Sequence, residues 1–432
     1  MSTIVCLAAA LALAEPAPLR LTVDEAVRRA IEASHRLREA AARRDAADAL
    51  AGERHASGLP QVAAQAGYMR TNHVTPFGLP FPGNLALVIY PDVPANYRTR
   101  LDLQWPIYTG GRLDALERAA RIEATASSDD IAAARADLTL EVTGAYWALV
   151  TAVESLRVVD ESFARVDAHL RDVRNQFAAG LVPPNDVSSV EAQSSRQRML
   201  QVQAKAARDV AEAELARLVG APAGTPVEAA VELDAPPPAS ASLEALVDVA
   251  RRQRPERASL VKRVQAARER SVAAAAATKP TVGVAGGFDY ARPNPRIFPR
   301  QDIWQTSWDA GLNVNWSLFD GGRARSEVAE ASAAERGAEA RLEEFDSAVA
   351  VEIRQRLSEV EASRAAIAAA NDEVRSAREA RRVVGDRFTA GVATSTDVLD
   401  AQVVLLQAEL DRTQAIASAR IADARLARAV GW

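Results

Sequence analysis

The chain has 432 residues and a formal net charge of −5, and only 5% of its residues are aromatic while Ala, Arg and Glu abound. That composition suits long helices with thin apolar seams rather than a thick globular core. Of 52 basic residues only Lys205, Lys262 and Lys279 are lysine, and no basic stripe marks a nucleic-acid surface.

Residues 1–14 read as a secretory signal. The apolar stretch from Ile4 ends in Ala12-Leu13-Ala14 before Glu15-Pro16, a small-residue cleavage pattern, although Met1-Ser2-Thr3 lacks the usual basic residue. The stretch is shorter than the roughly 20 residues a helix needs to span a bilayer. The only cysteine, Cys6, lies inside it, so the remainder has no thiol for a disulfide, a thiolate metal site or a lipid anchor. No later stretch approaches a membrane-spanning apolar helix, so a membrane location requires strands.

The next signals are a helix over 23–58 and a strand over 62–68. A segment rich in Pro, Gly and Asn follows over 71–97, then a second strand over 100–107. Two more alternating strands occupy 282–290 and 308–318, separated by a loop over 291–305. In the last strand Trp308, Leu312, Val314, Trp316 and Leu318 share one face, and Asp309, Asn313, Asn315 and Ser317 the other. A half-buried soluble sheet alternates in the same way. Strands of about 10 residues with tryptophans near their ends also match a tilted bilayer crossing with an aromatic girdle. Four strands leave open edges, which lipid forbids, so a barrel would have to be shared between subunits.

After each strand pair comes a proline-free helix, 112–177 in the first case. Its apolar positions Leu149, Leu156, Val159, Phe163, Val166, Leu170, Val173 and Phe177 form a heptad seam. Ile353, Leu357, Val360, Ile367, Val374 and Phe388 form a matching seam later in the chain. About 65 residues of helix reach on the order of 100 Å. Shorter helices are expected over 187–219, 243–277 and 398–430, and packing each long helix against two short ones is the economical arrangement. Gly180 and Gly391 suit left-handed helix ends, making two tight turns between helices.

The second half of the chain repeats the first. Ile107-Tyr108-Thr109-Gly110-Gly111-Arg112 returns as Leu318-Phe319-Asp320-Gly321-Gly322-Arg323, and Phe177-Ala178-Ala179-Gly180-Leu181 as Phe388-Thr389-Ala390-Gly391-Val392, both at an offset of 211. Upstream the offset is 220, because the 71–97 segment is longer than its counterpart; loops tolerate such length changes. The expected division is residues 15–220 as the first repeat, 221–242 with Pro236-Pro237-Pro238 as a linker, and 243–432 as the second repeat.

In this order of elements, with Leu21-Thr22-Val23-Asp24-Glu25-Ala26, the two glycine-pair turns and the two tips, the chain resembles the TolC-type outer-membrane efflux proteins from about residue 20 to 432. The resemblance implies an α+β membrane protein. It would form a homotrimer whose 12-stranded β-barrel, four strands per chain, lies in outer-membrane lipid and continues into a long α-helical coiled-coil barrel in the periplasm. It implies an exit duct for an inner-membrane pump, joined by a periplasmic adaptor (a membrane fusion protein), with no cofactor. The tips that would meet the adaptor are Gly180, Leu181, Val182 and Asp186 in the first repeat, and Gly391, Val392, Ala393 and Thr394 in the second. Ala393 stands where the best-known members carry a basic residue. Asp397 and Asp400 match the family's aspartate rings at the closed end. The residues themselves agree in part, since positions three apart share a helix face and gathered carboxylates attract cations. Either Asp397 or Asp186 could instead simply favour a helix N-terminus.

Catalysis finds no support in the sequence. His35, His55, His73 and His169 have no ligand spacing and read as surface residues, and the glycine pairs lack the remaining residues of phosphate loops. The rival to a duct is a non-conducting coiled-coil scaffold or adhesin anchored by its strands.

Overall fold

The computed structural model describes residues 18–81, 85–222, 224–231, 233, 234, 236 and 242–432. The expected signal, residues 1–14, and part of the 221–242 linker lie outside the described residues. The chain forms two compact units. One comprises the segment ending at Ala41 with Asp129–Ala258 and Glu344–Trp432; the other comprises Ala42–Ser128 and Ser259–Glu343.

The first unit is helical. The long helices α3 (Arg112–Ala178) and α7 (Arg323–Thr389) each run for 67 residues and carry their C-terminal parts here. The anticipated seam is largely buried: Leu149, Val159, Val166, Leu170 and Val173 on α3, and Ile353, Val360 and Val374 on α7. Phe177, in the last turn of α3, is instead 45% exposed. Against α3 pack Ala26 and Ala30 of α1 (Val23–Ala33) and Leu215 and Leu218 of α4 (Pro184–Leu218), around Val142, Tyr146 and Leu149. The corresponding cluster on α7 joins Leu246 and Ala250 of α5 (Leu243–Gln253) to Leu426 and Val430 of α8 (Ser395–Val430). Alanine at the contacts lets the helix backbones approach closely, which is how so few aromatic residues suffice.

Two expected helices are each divided. The first breaks at Ser34 into α1 and α2 (His35–Ala56); Ser34 turns extended, and its hydroxyl accepts from Leu37 N at 3.2 Å. The other breaks at Arg254 into α5 and α6 (Pro255–Ala275), because proline clashes with a helical residue before it. α1 starts where the sequence announced it: the Thr22 hydroxyl accepts from Glu25 N, and Glu25 accepts in return from Thr22 N at 2.9 Å. The segment expected to be a linker holds an unforeseen strand. β6 (Val227–Ala229) pairs in parallel with β1 (Leu19–Leu21), and the buried Tyr146 hydroxyl donates to Leu21 O at 3.1 Å.

The second unit carries a four-stranded sheet in the order β2 (Gln61–Arg70), β5 (Ala95–Tyr108), β7 (Thr281–Arg292), β8 (Gln305–Asn315), with every neighbouring pair antiparallel. Pro106, which cannot donate to a ladder, sits beyond the end of β2 pairing and beside a register shift against β7. Two strand expectations need correction. The 71–97 segment is not irregular throughout but contains a hairpin of β3 (Phe77–Phe81) and β4 (Leu85–Tyr90). The strand expected over 308–318 ends at Asn315, after which the Trp316 indole donates to Thr278 O at 3.1 Å. Among the described residues no helix is long and apolar enough to cross a membrane.

Candidate functional site

The register gives the sheet two unlike faces. Val62 lies opposite Leu103, Leu101 opposite Phe288, and Val284 opposite Leu312, all on one face. Large side chains there stand in the open, Trp308 at 74% and Leu312 at 63% exposure, where a soluble sheet would bury them. Aromatic rings mark both ends of this face. Tyr68, Tyr97, Trp304 and Tyr290 form a chain of contacts with centroids 4.8–5.8 Å apart at the loop end, and Trp105, Tyr108 and Trp316 lie exposed near the helix end. From Tyr97 to Trp105 the strand rises about 27 Å, close to the roughly 25 Å apolar band of an outer-membrane strand layer.

The opposite face is charged. The Arg100 guanidinium reaches carboxylates of three strands: Asp102 on its own β5 at 2.5 Å, Asp289 on β7, and Asp309 on β8 at 3.2 Å. Arg98 also holds Asp289, at 2.6 Å, and Arg296 holds Asp309 at 2.8 Å. Gly287 accommodates this placement, since a Cβ there would overlap the Arg100 guanidinium where it now lies.

At the other candidate site, both long helices end in the same motif. Gly180 N donates to Phe177 O and Leu181 N to Gln176 O, each at 2.9 Å; Gly391 and Val392 repeat the pair on Phe388 O and Arg387 O at 3.0 and 2.9 Å. Gly180 and Gly391 take φ of +72° and +73°, the left-handed conformation that glycine adopts without strain. Leu181 and Val392 project, 75% and 62% exposed. Val182 packs with Val187 and Val190 of α4, Leu170 and Val173 of α3, Phe388 of α7 and Leu399 of α8, so the two tips share one apolar cluster. Asp186 lies in the first turn of α4, which starts from Pro183 without a side-chain cap.

Thr394, by contrast, opens α8 with a capping box: its hydroxyl accepts from Asp397 N at 3.2 Å, and the Asp397 carboxylate accepts from Thr394 N at 2.7 Å. The backbone N–H and then the hydroxyl of Thr394 hold the Asp397 carboxyl below its ordinary 3.8. The structure thus supplies the local helix-starting role foreseen as an option for Asp397. Ala393 is half-buried beside it, and both Asp397 and Asp400 remain exposed on the same side of α8.

Sequence reasoning misjudged one histidine. His35, His55 and His73 are exposed, but His169 is 6% exposed, its Nε2 lies 3.0 Å from Ser395 Oγ, and its ring meets Phe388 edge-on at 5.1 Å. The signal was present: His169 sits one turn after Val166 and one before Val173, on the packed face of α3.

The family model for outer membrane efflux proteins matches residues 26–221 and 246–432. The chain belongs to the outer membrane efflux protein family. This efflux protein is 28% identical to protein CyaE of Bordetella pertussis over 88% of this chain and 78% of that one, and 25% identical to outer membrane protein TolC of Vibrio cholerae over 74% and 72%. Its fold is that of a membrane protein from Pseudomonas aeruginosa, with a TM-score of 0.79 at 23% identity over 95% of this chain and 92% of that one. The family is one of transport channels rather than enzymes, and the efflux protein resides in the outer membrane and extends into the periplasm.

Proposed function

We propose that this efflux protein is the passive exit duct of a tripartite efflux or type I secretion system, conducting what an inner-membrane pump delivers and performing no chemistry of its own. The observation that carries the reading is the sheet with one exposed apolar face, one charged face, and open edges at β2 and β8. Such edges cannot face lipid unpaired. Three copies, each giving four strands, would pair them in a 12-stranded barrel with the charged face inward, and the long helices of the two sequence repeats, 15–220 and 243–432, would continue the wall. In this reading residues 221–242 join the repeats.

The tips are the docking points for a periplasmic adaptor: Gly180, Leu181, Val182 and Asp186 on one side, Gly391, Val392, Ala393 and Thr394 on the other. The exposure of Leu181 and Val392 supports this, because apolar side chains held out on rigid turns suit a protein partner. Asp397 and Asp400 form the aperture ring, gathered by threefold symmetry, with Asp397 also starting α8. A negative ring favours cations. Substrate choice rests with the pump.

The test is current through a planar bilayer holding the purified protein, with its trimeric state checked by crosslinking, beside the Asp397→Asn, Asp400→Asn double variant. Small cation-selective steps that enlarge or lose selectivity in the variant are expected. Silence from inserted trimers of both would leave the non-conducting scaffold as the better account, and steps with unchanged selectivity would remove the two aspartates from the mechanism.

A further inference from the structure

We propose that Arg100 sets the ionic selectivity of the strand-lined part of the duct by neutralising the carboxylates of Asp102, Asp289 and Asp309 on its charged face. The inference rests on the reading of that face as the lumen. It starts from a coincidence of three features. The guanidinium contacts carboxylates from β5, β7 and β8 together, residues up to 209 positions apart in the chain. The guanidinium lies where a Cβ on residue 287 would stand, a place left open by Gly287. The side chain of Asp289 is 1% exposed, so this charge has been taken out of water and depends on its arginine partners.

The charges balance: Arg98, Arg100 and Arg296 against the three aspartates. A lining with equal and interlocked charges presents no net charge to a passing ion, so discrimination is left to the rest of the path. Arg100 is the keystone of that balance, since it alone touches all three carboxylates. Without it the face would carry one uncompensated negative charge per chain. A fixed charge inside a narrow conduit with low-dielectric walls concentrates its counterion. A neutral surface there would let cations and anions pass alike.

The prediction is a pair of opposite shifts. Reversal potentials under a salt gradient across a planar bilayer should move toward cation selectivity in Arg100→Gln and toward anion selectivity in Asp309→Asn, each by about twofold or more in permeability ratio at low salt. Arg100→Lys, which keeps the charge, should stay at the wild-type ratio. Both shifts should fade at 1 M salt, where the Debye length falls to about 3 Å from about 30 Å at 0.01 M. A purely structural clasp would not produce shifts of opposite sign that salt erases. If Arg100→Gln does not assemble, Asp309→Asn and Asp102→Asn must both move toward anions. Conducting wild type with unchanged ratios in the variants, or an Arg100→Gln shift in the same direction as Asp309→Asn, overturns the role of Arg100 while leaving the duct standing. A wild type that inserts and passes no current overturns the duct, and this role with it.

Discussion

His169 Nε2 and Ser395 Oγ lie 3.0 Å apart, although 226 residues separate them. His169 belongs to α3 and Ser395 opens α8, so the bond ties the first long helix to the start of the helix that follows the second tip. The ring also meets Phe388 of α7 edge-on. Three helices therefore meet at one imidazole, next to the turns proposed to receive a partner.

That geometry should make the tip region sensitive to pH. Burial, the largest influence, depresses the His169 pKa below the ordinary 6.5; Asp172 on its own helix and Ser395 oppose the shift, and Arg381 on α7 adds to it. The folded state thus disfavours the protonated ring. Its contribution to stability is complete above pH 6.5, declines as the pH falls below that value, and levels off once the folded-state pKa is passed. Protection of the tip amides against hydrogen exchange, taken relative to the intrinsic rate at each pH, should fall from pH 7.5 to 5.5 in the wild type, and this extra acceleration over the intrinsic rate should be missing in His169→Gln. Equal acceleration in both proteins would assign the effect to other groups.

The cap of α8 should matter locally. Thr394→Ala removes the hydroxyl that accepts from Asp397 N and should cost about 1 kcal/mol. Thr394→Ser should cost far less, because it keeps the acceptor. Denaturant melts of the two variants compare them, and an equal loss would show that the cap is not what Thr394 supplies.

Gly391→Ala asks whether the turn depends on backbone conformation or on space. A Cβ at Gly391 would meet nothing within 4 Å, yet φ is +73°. The expected cost is therefore conformational alone, roughly 1–2 kcal/mol, and Gly391→Asn should recover part of it because Asn tolerates the left-handed region. A neutral alanine variant would mean the turn relaxes freely.

In the helical core, Ile353 is fully buried between α5, α7 and α8. Ile353→Ala should destabilise by about 2–5 kcal/mol, whereas Val351→Ala, two positions away and 68% exposed, should change the stability of the isolated chain little. If Val351→Ala disrupts crosslinked trimers while leaving the secondary structure intact, Val351 lies on a face covered by a second copy.

The seam on α3 and α7, the alternation in β2, β5, β7 and β8, and the glycine ends of the long helices could all be read from the residues. Each is enforced locally, by a repeat of 3.5 or 2 residues or by a conformation that glycine alone adopts easily. The tips of the candidate site were legible for the same reason, and so was the start of α1 at Val23. The hairpin β3–β4 was hidden because its strands are short and Pro80 interrupts the pattern; the pairing of β1 with β6 was hidden because three residues leave no period at all. His169 looked like one more polar residue on a long helix until Ser395 and Phe388 were placed around it. The same holds for Arg100, whose alternation with its neighbours put it on the polar face but could not choose its partners. Asp289 and Asp309 come to it through the register of strands far apart in the chain, and register is set by the pairing of whole strands and not by any one residue. Local periodicity thus settled which elements form and which face each shows; only the long-range packing of those elements decided which charges and rings meet.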